Sequence, residues 1–189
     1  MIDQERRALL DEIYAFGQEH GGMWNLHPDA GAFIHVLLQA IVARQVLEIG
    51  TSNGYSTIWI TDALESTGGW LTSLEAEPEK VRMATENLER AKLSERVEIV
   101  QGDARESMQS LTKRFDFVLI DADKPSYEHY LDEALQRSRP GAIIMADNVD
   151  SHAEELAGFL ERVGRDPWLE DIRLPYGGGQ VLMYVRPGR

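Results

Sequence analysis

The sequence predicts an α/β fold: a doubly wound, Rossmann-like sheet that is mostly parallel, has helices on both faces and ends in an antiparallel C-terminal hairpin. Three observations predict it. From residue 45 onward, short apolar runs alternate with segments of helical periodicity, which is the order found in parallel sheets. The runs are apolar throughout, as in strands buried on both faces. The last two runs have no helix between them, which favours an antiparallel pair.

Residues 1–44 are predicted to form an N-terminal helical part. Apolar side chains recur at helical spacing in ALLDEIYAF, which predicts a first helix. The stretch GGMWNLHPDAG is expected to end it, and FIHVLLQAIVA is predicted to form a second helix. Residues 45–189 are predicted to form the Rossmann-like core. A chain of this length suits one domain, so 1–189 is expected to be a single unit.

The elements of the core follow in order. The predicted parallel strands are QVLEIG, WLTSLEA, RVEIVQGD, FDFVLIDAD and GAIIMADN. The predicted helices are STIWITDAL, PEKVRMATENLERAKL, ARESMQSLTK, SYEHYLDEALQRS and SHAEELAGFLERVGRD. The final strands are WLEDIRLP and QVLMYVRP, joined by YGGG. Ligands of open α/β sheets bind beyond the carboxyl ends of the strands, and the candidate motifs fall at such ends.

The composition excludes several classes of function. The formal net charge is −13 and the basic residues are scattered, so we expect no nucleic-acid partner. The chain has no cysteine, which excludes disulfides, thiolate zinc sites and cysteine nucleophiles. No apolar run approaches the roughly 20 residues of a membrane helix, and the N-terminus has no apolar signal core. We therefore expect a cytoplasmic protein with no membrane partner.

The first predicted strand leads into a loop that could hold a cofactor, E-I-G-T-S-N-G-Y-S at residues 48–56. Gly50 permits a sharp turn, and Gly54 would let the backbone approach a ligand at the start of the next helix. The amide groups of that helix start could bind a carboxylate. A tight turn without a ligand would use the same glycines, so that alternative stays open.

Two further strand ends carry acidic residues. Glu75 lies where an acidic residue is expected to bind a ribose diol, although it could be a solvated glutamate. Asp103, next to Ala104, could accept the amino group of an adenine or cap the following helix. A nicotinamide cofactor requires G-x-G-x-x-G for its pyrophosphate, whereas this loop has G-x-x-x-G. The wider loop favours a cofactor without a pyrophosphate, such as S-adenosylmethionine.

The fourth and fifth strands end in a candidate metal site. Asp121 lies in I-D-A-D-K, and Asp147 and Asn148 lie in A-D-N. Adjacent parallel strands would bring them together, and two carboxylates with an amide oxygen suit Mg²⁺ or Ca²⁺. The alternative is that Asp147 and Asn148 cap the last helix and Asp121 serves the cofactor alone.

Lys124 is the candidate base beside this site. Near a metal-held hydroxyl, a lysine could accept or stabilise the departing proton. The alternative is a solvated surface lysine. His129 and His152 are weaker candidates, because both fall in predicted helices, where a histidine is more often structural.

Together these motifs resemble the metal-dependent class I O-methyltransferases, the family of catechol and caffeoyl-coenzyme A O-methyltransferases and many small bacterial relatives. The matching stretches are NLHPDAG, VLEIGTSNGYS, SLEAEPEK, VEIVQGDA, FDFVLIDADKPSY and RPGAIIMADNV. They run in family order from about Asn25 to Val149, and WLEDIRLPYGGGQVLMYVR is similar to the family's closing hairpin. The combination is specific, whereas no single motif is.

The resemblance implies an enzyme that uses S-adenosylmethionine and a divalent metal, Mg²⁺ or Ca²⁺, to methylate a hydroxyl of a small acceptor. It implies that the metal holds two vicinal hydroxyls and favours loss of a proton from one of them. The implied catalytic residues are Lys124 and Asp121, and the implied metal ligands are Asp121, Asp147 and Asn148. The predicted cofactor-binding residues are Leu26, Glu48, Gly50, Thr51, Ser52, Gly54, Ser56, Glu75, Asp103, Ala104 and Asp121.

The chain departs from the family's pattern around the acceptor. After Asn148 it is expected to enter a helix directly, where family members usually carry an insertion, and Ala30 stands at a position that is usually polar. These departures predict a more open acceptor pocket. Trp24, Trp168 and Tyr176 are candidates to line it for a flat acceptor, with core packing as the alternative.

Three functions stay open on the sequence. The leading one is a metal-dependent O-methyltransferase for a small hydroxylated aromatic. The second is a metal-independent methyltransferase with another small acceptor, in which the acidic cluster is structural. The third is a non-catalytic module that binds S-adenosylmethionine. A homodimer is a further expectation from the resemblance, and the N-terminal helices could contribute to it.

Overall fold

The computed structural model describes residues 2–188, which contain one seven-stranded sheet. Its strands are β1 (Gln45–Ile49), β2 (Trp70–Glu75), β3 (Val97–Gln101), β4 (Phe115–Ile120), β5 (Ser138–Asp147), β6 (Leu169–Leu174) and β7 (Gln180–Val185). Their order across the sheet is β3-β2-β1-β4-β5-β7-β6. The first five are parallel, and β7 is antiparallel to both β5 and β6. The predicted sheet and its closing hairpin are therefore confirmed.

Within residues 2–188, seven α-helices cover the two faces of the sheet. They are α1 (Gln4–His20), α2 (Pro28–Ala40), α3 (Tyr55–Thr67), α4 (Pro78–Arg90), α5 (Ala104–Ser110), α6 (Tyr127–Arg137) and α7 (Ala157–Arg165). Buried side chains of α1 to α4 belong to one hydrophobic cluster, and those of α5 to α7 belong to a second. This arrangement confirms the doubly wound class. None of the helices within residues 2–188 is both long enough and apolar enough to span a membrane.

The strands are apolar throughout because both of their faces are buried. Val46 of β1 packs into the cluster under α1 to α4, and its neighbour Leu47 packs into the opposite cluster. In β4, Phe117 and Val118 divide between the two clusters in the same way. Since successive side chains of a strand point to opposite faces, a sheet covered on both sides needs apolar residues at consecutive positions.

The second helix begins earlier than predicted. The stretch GGMWNLHPDAG was expected to be a break, but α2 starts at Pro28, inside it. Proline is well suited to the first turn of a helix, and the His27 imidazole caps this turn by accepting a hydrogen bond from the Asp29 amide (3.2 Å). The predicted break over the last four residues of the stretch is therefore wrong.

The last helix begins later than predicted. Residues 151–156 form successive turns, and α7 starts only at Ala157. The amides of Asp150 and Ser151 both donate to the Gly178 carbonyl (2.9 Å each), in the turn between β6 and β7. These tertiary hydrogen bonds hold the chain against the hairpin, so the helix predicted over residues 151–156 is wrong. The expected direct entry into a helix after Asn148 is wrong for the same reason.

Candidate active site

The carboxyl ends of the parallel strands surround a cavity of about 400 Å³. This volume lies in the range of small-molecule sites. Seven of the predicted site residues line it: Gly50, Ser52, Glu75, Asp103, Ala104, Asp121 and Lys124. They come from four strand ends, as the topology of an open α/β sheet predicts.

The loop after β1 is strained at the floor of this cavity. Gly50 has φ +98°, and a Cβ atom there would lie 2.0 Å from the Asp121 carbonyl oxygen. Only glycine fits between these two backbones. Ser52 also has positive φ (+50°), which is uncommon for a residue other than glycine. Its amide donates to Glu75 Oε2 (2.8 Å), so the loop is fastened to the end of β2.

Gly54 lies at the start of α3 with φ +86°, and a Cβ atom there would lie 3.1 Å from Ala84 Cα in α4. Its lack of a side chain allows these two helices to pack closely, and its predicted contact with a ligand stays a prediction. The next amide, that of Tyr55, donates to the Asn53 side chain (3.3 Å), which caps the helix internally.

Glu48 lies beneath the loop and has no exposed surface. Its carboxyl group accepts hydrogen bonds from the hydroxyls of Ser56 (2.5 Å), Thr57 (2.7 Å) and Ser73 (2.7 Å). Burial raises the pKa of Glu48 to about 7, although the three hydroxyls oppose this shift. In this arrangement Glu48 supports the loop, and its Oε1, which accepts from Ser56 alone, keeps acceptor capacity for a further donor.

Leu26, Thr51 and Ser56 lie behind the main cavity. They line a recess of about 30 Å³ together with Gly50, Ser52 and Asp121. Leu26 is buried there. The recess connects the N-terminal segment to the loop after β1, so these predicted cofactor residues lie together near Asp121.

Glu75 and Asp103 occupy two sides of the cavity. Glu75 accepts hydrogen bonds from the amides of Ser52 (2.8 Å) and Glu77 (2.9 Å). Asp103 accepts one from the Arg105 amide (2.9 Å) at the start of α5, and the Arg105 guanidinium lowers the pKa of Asp103 to about 2. The alternative of a helix cap is thus realised at Asp103, which also faces the cavity.

The acidic residues at the ends of β4 and β5 lie together, as predicted. The two strands are parallel neighbours, and Asn148 has φ +67°, a left-handed conformation that asparagine tolerates. Its Nδ2 donates to Asp121 Oδ1 (3.0 Å) and Asp147 Oδ2 (2.7 Å). Burial and then the Asp147 charge raise the pKa of Asp121, and burial raises that of Asp147. The buried carboxylate of Asp147 and the largely buried carboxylate of Asp121 therefore converge on one amide.

This donor set fits a hard divalent cation. Carboxylate and amide oxygens are the ligands that Mg²⁺ and Ca²⁺ prefer, and a cation would relieve the repulsion between the two neighbouring carboxylates. A half-turn of the Asn148 amide exchanges its nitrogen and oxygen without changing its shape. Residues 2–188 contain no cluster of three or more acidic or histidine side chains suited to a metal. Water molecules or oxygen atoms of the bound methyl acceptor would therefore complete the coordination shell.

Lys124 lies beside these carboxylates. Its Nζ is 3.6 Å from Asp121 Oδ1 and donates hydrogen bonds to Tyr127 Oη (2.8 Å) and the Ala122 carbonyl (3.1 Å). Tyr127 Oη in turn donates to the Asp147 carbonyl (3.0 Å). The ammonium group has three N–H positions, so one remains for a group in the cavity, which Lys124 lines.

Comparison with known proteins identifies the family. A family model described as O-methyltransferase matches residues 3–179. The chain belongs to this family. It is 42% identical over 153 residues to a catechol O-methyltransferase of Niastella koreensis, with 79% of this chain and 69% of that protein covered. It is 38% identical over 152 residues to a catechol O-methyltransferase of Mycobacterium tuberculosis, with 74% and 69% covered.

A solved structure agrees with this membership. The O-methyltransferase from Bacillus cereus, crystallised in complex with SAH, superposes with a TM-score of 0.84 at 33% sequence identity. The match covers 98% of this chain and 92% of that one. The predicted family and the predicted enzyme class, an S-adenosylmethionine-dependent O-methyltransferase, are confirmed. The alternative of a non-catalytic module that binds S-adenosylmethionine is therefore rejected.

The aromatic and histidine candidates of this O-methyltransferase separate into two groups. Trp24 lines the cavity, is 65% exposed and lies against His152, with ring centroids 5.5 Å apart. His152 lies in the turns of residues 151–156 and not in a helix, and its contact with Trp24 places it beside the cavity. Tyr176 follows β6 and so lies at the end of the sheet that carries the cavity. Trp168 precedes β6 and so lies at the opposite end of the sheet. Trp168 is thus excluded from the acceptor pocket. His129 lies in α6 with its Nε2 buried.

Gln180 was not among the predicted site residues, yet it donates to Asp147 Oδ1 (2.5 Å) from the first position of β7. Tyr127, the bridge between Lys124 and β5, was not among them either. Tyr127 ends the matching stretch FDFVLIDADKPSY, so its signal was available. Gln180 had no such signal, because its contact depends on which strand lies beside β5.

Proposed function

We propose that this O-methyltransferase transfers the methyl group of S-adenosylmethionine to a hydroxyl of a small catechol-like acceptor, with a divalent cation, Mg²⁺ or Ca²⁺, at Asp121, Asp147 and Asn148. One observation carries the proposal: the carboxylates of Asp121 and Asp147 and an amide converge at the edge of the cavity, with Lys124 beside them. The catechol O-methyltransferases among its relatives support the acceptor class. The cytoplasmic location and the homodimer stay predictions.

The cavity offers the groups that the cofactor needs. Glu75 presents a carboxylate that could accept from a ribose diol, and Asp103 presents one that could accept from an adenine amino group. Gly50 lets the loop after β1 pass directly against the Asp121 carbonyl, so both lie at the wall of the cavity where the rest of the cofactor would be held. Methyl transfer is an in-line displacement, so the main task of these residues is to hold the sulfonium methyl group in line with the acceptor oxygen.

Lys124 is placed to move the acceptor's proton. Two of its N–H groups are engaged by Tyr127 and Ala122, which fixes the nitrogen at the cavity wall. In the neutral amine, the third position is a lone pair that can take the hydroxyl proton as the oxygen attacks. A bound divalent cation would supply positive charge that stabilises the deprotonated acceptor. Trp24 at the mouth would cover one face of a flat acceptor.

The metal set is tested with Asp147→Asn, which keeps the size of the side chain but removes its charge. We expect turnover with catechol to fall by about 100-fold or more, while the dissociation constant for S-adenosylmethionine changes by less than about threefold. Asp150→Asn is the matched control, because Asp150 lies three residues after Asp147, outside β5, and its side chain is exposed. Wild-type turnover in Asp147→Asn, with or without a chelator, would favour the metal-independent alternative.

The base is tested with Lys124→Met, with Lys92→Met as the control at an exposed lysine. We expect Lys124→Met to lower kcat by about 10²- to 10⁴-fold, the usual contribution of a general base. Binding of Mg²⁺ should survive, because Lys124 is not a ligand. Rates are measured as S-adenosylhomocysteine formed, by liquid chromatography. An unchanged kcat would mean that a group other than Lys124 takes the hydroxyl proton.

A further inference from the structure

Gln180 is a fully buried polar residue next to the candidate metal ligands. It begins β7 and lies directly opposite Asp147 in the antiparallel register of β5 and β7. Its Nε2 donates to Asp147 Oδ1 (2.5 Å) and to the Tyr176 carbonyl (2.7 Å). The amide therefore ties Asp147 to the turn between the last two strands.

The two oxygens of Asp147 have different partners. Oδ1 accepts from Gln180, whereas Oδ2 accepts from Asn148 Nδ2, which also contacts Asp121 Oδ1. Oδ2 is thus the oxygen on the Asp121 side. The Tyr127 hydroxyl holds the backbone carbonyl of Asp147 (3.0 Å), so rotation of the side chain is the freedom that Gln180 removes.

The carbonyl oxygen of the Gln180 side chain indicates that a glutamine at this position lowers the stability of the fold. Its Oε1 is buried and has no hydrogen-bond partner among residues 2–188. An unpartnered buried acceptor destabilises a fold, and an apolar side chain of the same size would avoid that penalty. The nitrogen of the same amide, in contrast, donates hydrogen bonds to Asp147 and Tyr176, which an apolar side chain could not do.

We propose that Gln180 is a positioning residue for the cation site, which holds the Asp147 carboxylate so that Oδ2 faces Asp121 and Asn148. The inference rests on the proposed function, because it assumes that the cation binds at this set. Gln180 has no exposed surface and acts only through Asp147. Partners that orient metal ligands typically change metal affinity by about 10- to 100-fold when they are replaced.

The test is calorimetric titration of Mg²⁺ into the protein saturated with S-adenosylhomocysteine and catechol, which cannot react with each other. Gln180→Met keeps the length of the side chain without a donor. Gln180→Asn keeps a donor but withdraws it by about 1.5 Å, one carbon–carbon bond. The control is Gln45→Met: Gln45 begins β1 at the opposite end of the sheet, and its Oε1 is also buried without a partner among the described residues. Circular dichroism establishes that each variant is folded.

We expect both Gln180 variants to weaken Mg²⁺ binding by about tenfold or more, with Gln45→Met and the affinity for S-adenosylhomocysteine unchanged. If one Gln180 variant does not fold, the other decides. Wild-type Mg²⁺ affinity in a folded Gln180 variant overturns this inference alone. Absence of Mg²⁺ binding to the wild-type protein overturns the proposed metal site, and this inference with it.

Discussion

Replacing Gly50 with alanine should damage this protein far more than replacing Gly68, although both glycines have positive φ. Gly50 has φ +98°, and its new Cβ would lie 2.0 Å from the Asp121 carbonyl oxygen. Real Cβ contacts below 3.0 Å essentially do not occur, so one of two backbones must move. Gly68 ends α3 with φ +70°, and a Cβ there would meet nothing within 4 Å.

The difference between the two variants isolates the steric clash. Both lose the freedom of glycine in the unfolded chain, and both place alanine in a left-handed conformation, which costs about 1 kcal/mol. Gly50→Ala adds an overlap that typically costs about 2–3 kcal/mol. We therefore expect a loss of about 3–4 kcal/mol for Gly50→Ala and about 1 kcal/mol for Gly68→Ala. For a chain of this length, these losses lower Tm by about 6–16 °C and about 2–4 °C, respectively.

The assay is urea unfolding followed by circular dichroism, with S-adenosylmethionine affinity measured on the same samples. The clash moves Asp121, so Gly50→Ala should also lose cofactor affinity, whereas Gly68→Ala should keep it. Equal losses of stability in the two variants would refute the reasoning, because they would mean that the contact with the Asp121 carbonyl has no energetic consequence.

Two further predictions concern stability. Burial raises the pKa of Glu48 from 4.5 to about 7, so the folded state keeps a proton that the unfolded state releases, and stability falls by about 3 kcal/mol as pH rises through this window. Glu48→Gln should remove the share of that fall that Glu48 contributes between about pH 4.5 and pH 7; an unchanged pH profile of urea unfolding would contradict the raised pKa. Val42 follows α2 and its C-cap residue Ile41, has φ +52° and is mostly exposed. Val42→Gly should therefore raise the free energy of unfolding by about 1 kcal/mol, and a lower Tm would argue against strain there.

The sheet could be predicted from the sequence because each of its requirements leaves a local trace. Strands buried on both faces need consecutive apolar residues, and FDFVLI and GAIIMA meet that need. Their parallel pairing follows from the helix between them. Asp121 and Asp147 come directly after, or at the end of, these neighbouring strands, so their proximity could be inferred without coordinates, and the register of Ile120 with Ala146 confirms it.

The other features of the site depend on contacts between residues far apart in the chain, which no local sequence pattern predicts. Gln180 reaches Asp147 only because β7 lies between β5 and β6, and no pattern in the two final strands specifies that order. Ser73 of β2 helps to enclose Glu48, so the burial of Glu48 depends on packing between strands. Trp168 and Tyr176 flank the same strand, yet only the direction of β6 determines which of them lies near the site.

The most direct test of the account is methyl transfer by the wild-type enzyme at controlled metal concentration. The protein is incubated with S-adenosylmethionine and catechol after removal of divalent ions, and the methylated product is measured by mass spectrometry as Mg²⁺ or Ca²⁺ is added. We predict that product is absent with a chelator and that turnover rises to saturation with at least one of the two ions. Equal turnover with and without the chelator would contradict a metal site at Asp121, Asp147 and Asn148.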